Sequence, residues 1–178
     1  MSRHTTPRAV AASLSLATLA LLGWSSGSTP SRIAGTFDAK YAEQHPLPVP
    51  DGAGHALVLG RVEGVNRSTG PRLYMDKGKV TNFEFADLIQ GNGPQQGYLS
   101  MSQGADSVIS KWSGKVTTTL SPDKTPITTF EGTWTKVKGT GRYEAITGKG
   151  TYKGRFTSQT EYTVDWSGEI SGERLAER

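Results

Sequence analysis

The sequence predicts an all-β fold, an antiparallel up-and-down barrel of about eight strands. Three observations point there. From Ser107 to Ser171, bulky apolar residues alternate with glycine at a spacing of two: Trp112/Gly114, Phe130/Gly132/Trp134, Tyr152/Gly154/Phe156 and Tyr162/Val164/Trp166/Gly168/Ile170. Side chains alternate across a strand, so each set shares one face while Lys, Thr, Glu and Asp occupy the other. Glycine weakens a strand, and its recurrence on the apolar face fits a tightly coiled sheet whose rings need room. The second observation is composition: 22 glycines with modest aliphatic content suit short strands and turns. The third is that no stretch after the first thirty or so residues has helical periodicity.

Taken in order, the chain begins with Arg3 and Arg8, an uncharged run from Val10 to Leu22, and the small residues Ser25, Ser26, Gly27 and Ser28. Charged start, short apolar middle and small-residue exit predict a cleaved signal peptide over 1–27. The run is short for a membrane span, so no span is expected once the leader is removed. The rival reading is a mitochondrial transit peptide, because the first 37 residues contain no acid. The continuous apolar block favours export, to the periplasm or the exterior.

Residues 28–54 are rich in Pro, Gly and Ser, and Pro46, Pro48 and Pro50 argue against a helix or an inner strand. This segment reads as a linker or strap, with a short strand from Gly35 to Tyr41 as an option. The barrel domain is expected over 55–178. His55 to Val65 alternates as a strand and ends in the turn cluster Asn66 to Pro71. In the strand from Lys79 to Gln90, Phe83, Phe85, Asp87 and Ile89 share one side, opposite Asn82, Glu84, Ala86 and Leu88. Gly97 to Gln103, Val108 to Leu120, Ile127 to Lys138, Thr151 to Ser158 and Tyr162 to Ser171 follow, separated by turn-forming clusters.

Several functions are disfavoured. The 178 residues include no cysteine, which excludes disulfides and thiolate catalysis. Loss of Arg3 and Arg8 leaves a slight positive excess with no Lys/Arg cluster, and that is not a nucleic-acid footprint. His45 and His55 flank the Pro-rich stretch without a third ligand, so no metal is expected. Gly139 to Gly150 does not meet the phosphate-loop pattern, since Tyr143 stands where glycine is required and no helix follows. No cofactor is implied.

The stretch Gly139-Thr140-Gly141-Arg142-Tyr143-Glu144-Ala145, with Gly148 and Gly150 ahead of a strand, resembles the late glycine-rich segment of allene oxide cyclase barrel-like and dirigent-like proteins. Ala145 stands where that family often has glycine. The likeness covers some dozen residues plus the strand rhythm from Gly97 to Ser171. It implies an eight-stranded antiparallel barrel of the calycin type in an exported bacterial protein of mostly unassigned role, and no catalytic residue carries over.

The aromatic residues suggest the function. Rings on the inner face either interlock into a solid core or leave a cleft for a small molecule. Trp112, Trp134, Tyr143 and Trp166 are the expected ligand-binding residues, and the first reading is a non-enzymatic binder of a small apolar or aromatic molecule at the barrel mouth. A second is a cyclase or isomerase in which Asp87 or Glu84 serves as acid, base or anchor, Asp87 because its apolar neighbours would raise its pKa if they faced inward. Against that, a bulge near Asp87 would turn it out to water. A third is a structural module with a filled barrel, or one that forms a homo-oligomer through its outer face.

Overall fold

A computed structural model describes residues 29–173. The signal-peptide segment lies outside them. Eight strands follow one another around a closed antiparallel barrel: β1 (Ser31–Pro48), β2 (His55–Ser68), β3 (Lys79–Ile89), β4 (Gly93–Gln103), β5 (Asp106–Leu120), β6 (Pro126–Thr140), β7 (Thr147–Phe156) and β8 (Glu161–Ser171). Each strand pairs with its sequence neighbours, and β1 pairs with β8 to close the wall. Closure leaves no free sheet edge through the body of the barrel.

The ring-and-glycine segments point as their alternation requires. Trp112, Phe130, Trp134, Tyr162 and Trp166 are all buried, whereas Glu131 and Asp165 between them are exposed. These rings lie across glycines on adjacent strands. A β-carbon on Gly97 would come within 2.7 Å of the Trp112 ring, and one on Gly60 within 2.7 Å of the Tyr41 ring. Trp134 covers Gly150 and Gly168 in the same way. The glycines are therefore seats for rings inside a cylinder too narrow for side chains from every strand.

Two expectations are corrected. The expected linker or strap over 28–54 is in large part wall, because β1 runs from Ser31 to Pro48. Its prolines are tolerated because β1 leaves β8 after Lys40, so that Pro46 and Pro48 pair only with β2. An edge-like extension does not need both rows of backbone donors. In β3, Phe83, Phe85, Asp87 and Ile89 face outward, and Asn82, Glu84, Ala86 and Leu88 face in. Asp87 is thus outside the barrel without a bulge, because its apolar neighbours are outside with it. They form an outer stripe in which Leu59 opposes Phe85 and Phe83 opposes Tyr98.

The two ends of the barrel differ. Residues 69–78, between β2 and β3, fold under one end and bury Tyr74 and Met75. Asn66 pins this plug by donating to the carbonyls of Tyr74 and Met75 at 3.0 and 2.9 Å and accepting from the Trp166 indole at 3.0 Å. A 3-10 turn, Gly141–Tyr143, completes the closure. At the opposite end stand the four hairpin turns β1–β2, β3–β4, β5–β6 and β7–β8, and there the inward-facing Tyr41 and Phe156 are only partly covered.

Candidate functional site

Between plug and open end the barrel holds a cavity of about 70 Å³, lined by side chains from seven of the eight strands. That is room for several water molecules, and the lining reaches Tyr41 and Phe156 at the end where they are only partly covered. Trp112, Trp134 and Trp166 line it together with Phe130, Tyr152 and Tyr162. The rings meet edge to face: Phe130 and Tyr162 have centroids 5.2 Å apart at 79°, and Trp112 and Tyr152 are 5.7 Å apart at 82°. Edge-to-face packing holds each ring by its neighbour and leaves some π faces toward the cavity.

Tyr143, the fourth expected ligand residue, is fully buried at the closed end and is not among the lining residues. Its ring packs against Tyr74 at 5.4 Å, so it supports the plug. Burial pushes its hydroxyl up to about 12.

Of the two expected carboxylates, Glu84 enters the cavity and Asp87 does not. Glu84 gathers three donors: the Tyr41 hydroxyl on Oε1, and Asn82 Nδ2 at 2.9 Å and the Tyr162 hydroxyl at 3.4 Å on Oε2. Asn82 in turn accepts from Trp112 Nε1 at 2.7 Å. These donors favour the carboxylate, but burial outweighs them and the Glu84 pKa is raised. Tyr41 and Tyr162 are raised as well, first by burial and then by the charge of Glu84. The cluster is a carboxyl poised to hold a proton, oriented by two phenols that keep theirs.

Asp87 has a different role. Its carboxylate meets His55 Nε2 at 2.7 Å while Asp51 meets Nδ1 at 2.6 Å. The imidazole bridges the β1–β2 turn to β3, and its hydrogen bonds to both carboxylates, Asp51 first, raise its pKa. With both ring nitrogens engaged it has none free for a metal, and among the described residues no group of three ligands could hold one.

Several lining residues escaped sequence reasoning, among them Tyr41, Asn82 and Lys136. Lys136 continues the inward phase of Phe130, Gly132 and Trp134, and a β-bulge follows it, where Ile109 pairs with Lys138 and Ser110 with Lys136. The bulge takes up Val137 and keeps Lys136 facing in. Its amino group is 3.2 Å from Ser110 Oγ, 4.5 Å from the centroid of the Trp134 ring and 4.9 Å from that of Tyr74. Burial lowers its pKa to about 7. The period-two count from Phe130 is the signal that could have found it, masked because a lysine at the end of a strand normally faces water.

No protein-family model matches the chain, and no curated protein matches it. Among solved structures it is similar to two pterocarpan synthase dirigent proteins. One is 12% identical with a TM-score of 0.46, covering 90% of this chain and 100% of that one. The other is 14% identical with a TM-score of 0.45, covering 84% and 99%. A pyocyanin demethylase, 14% identical with a TM-score of 0.41, covers 75% of this chain and 98% of its own. At these identities the likeness concerns the barrel fold.

Proposed function

We propose that this is an exported barrel that binds a small molecule built on one aromatic ring, with a polar substituent directed at Glu84. The observation that carries the reading is the cavity itself: walls of tryptophan, tyrosine and phenylalanine, with a hydrogen-bonded carboxyl as its acidic group. Ring stacking would supply most of the affinity, and a carboxyl that holds its proton can donate to a ligand hydroxyl or carbonyl. Export rests on the leader-like N-terminus.

The test is titration with a panel of single-ring phenols and their cyclohexanol counterparts, followed by calorimetry and tryptophan quenching. Saturable binding of the phenols, weakened by Glu84→Gln for those with a polar substituent, is expected. A panel without heat or quenching would sink the reading.

A second reading, a cyclase or isomerase acting on a hydrophobic substrate, is favoured by one observation: a cavity carboxyl whose pKa burial raises suits a group that gives and takes a proton. If it holds, Glu84→Gln abolishes turnover while ligand affinity falls only modestly.

A further inference from the structure

We propose that Lys136 is a nucleophile that forms an imine with an aldehyde or ketone held in the cavity, a role that rests on the pocket reading above and gives the ligand a carbonyl. The amino group faces the cavity, next to the ring of Trp134. Its one hydrogen-bond partner among the described residues is Ser110 Oγ, and no carboxylate of those residues lies within ion-pair distance. An ammonium there would leave most of its donors unpaired and stay desolvated, so the site favours the neutral amine. The lowered pKa agrees with the geometry. A neutral amine keeps its lone pair, and that is what attack on a carbonyl carbon requires.

The chemistry balances without an oxidant or a metal. The Nζ lone pair attacks the carbonyl carbon, the C=O π pair passes to oxygen, and a proton moves from nitrogen to that oxygen to give the carbinolamine. Loss of hydroxide together with the second N–H proton releases one water and leaves the C=N bond. The aromatic walls then shield the imine from hydrolysis.

The experiment uses 4-hydroxybenzaldehyde, its alcohol 4-hydroxybenzyl alcohol, and sodium cyanoborohydride to reduce the imine irreversibly to a secondary amine. The full chain is treated at pH 7 and the adduct mapped by peptide mass spectrometry. The expected result is one adduct on Lys136, formed at least about tenfold faster than on the exposed lysines. Lys136→Met should lose the adduct while the alcohol still quenches its tryptophans. If the alcohol binds but labelling spreads over exposed lysines, or persists in Lys136→Met, the lysine role is overturned and the pocket stands. If neither compound quenches the tryptophans, both fall.

Discussion

Trp112 donates its indole hydrogen to Asn82 Oδ1 at 2.7 Å, which ties a wall ring on β5 to the polar cluster on β3. Asn82 directs its amide hydrogens to Glu84 and Tyr162, so one buried side chain fixes a ring, a phenol and the carboxyl together. Asn82→Leu keeps the approximate volume, strands the Trp112 indole hydrogen and takes one donor each from Glu84 and Tyr162, which stay bonded to one another. It should cost about 1–3 kcal/mol, the usual penalty for leaving buried donors unmet, read as a lower denaturant midpoint at unchanged slope.

Glycine under the rings gives a second expectation. Gly97→Ala places a methyl against both the Trp112 ring and the backbone of Phe83, neither of which can withdraw without disturbing the wall. Overpacking of this kind costs about 1–3 kcal/mol. Gly52, in the β1–β2 turn, has nothing near a prospective β-carbon, so Gly52→Ala should leave the melting temperature within a degree or two. Thermal melts of the two variants separate a packing requirement from a general intolerance of alanine.

The pKa of Glu84 sets a pH dependence. Its folded value lies above the ordinary 4.5 because burial disfavours the charge. Between those values the folded protein keeps a proton that the unfolded chain has released, so stability falls as pH rises through that window and levels off above it. Glu84→Gln mimics the protonated group. It should match the parent near pH 4 and be more stable at neutral pH, by about 1.4 kcal/mol for each pH unit between the folded and unfolded values, measured by urea unfolding across pH.

The His55 bridge has its own signature, in the stretch of backbone it holds. Its raised pKa means that the ion pairs with Asp51 and Asp87 contribute fully below about 6.5 and are lost as pH rises through the folded value. Protection of the Val49 and Gln90 amides, which donate to the His55 and Gly54 carbonyls, should drop over that range. In His55→Gln their protection factors should be flat.

Much of the architecture was legible because its cause is local. The period-two alternation of rings with glycine in β5 to β8 carries both the strand and its phase, and the three inward tryptophans follow from it. The side of β3 that faces inward was not legible, because both of its faces carry apolar residues. Pairing decides it, since Glu84 faces Gly60 on β2 and Gly97 on β4, and only glycines leave room for an inward glutamate there. Tyr143 is an aromatic residue like the three tryptophans, but the plug built around Tyr74 separates it from the cavity. No strand pattern could foretell the plug, which depends on a contact from Asn66 into a loop of irregular backbone.

Lys136 provides the last expectation. Burial lowers its amino group to about 7, against 10.5 for an unburied lysine. Between those values the unfolded chain binds a proton that the folded chain does not, so stability should rise with pH from about 7 to 10.5 in the parent as the unfolded chain gives up that proton, and below 7 it should change little. The gain is bounded by about 1.4 kcal/mol per pH unit and reduced by whatever the Trp134 and Tyr74 faces return to the ammonium. Lys136→Met removes the titration and keeps an unbranched apolar stem in the same space. The variant should be more stable than the parent by a few kcal/mol at pH 6 and should lose that advantage by pH 10.5, with urea midpoints at fixed ionic strength as the measurement. A constant difference at every pH would mean that the amino group titrates normally, in contact with water, and would also remove the chemical basis for imine formation inside the barrel.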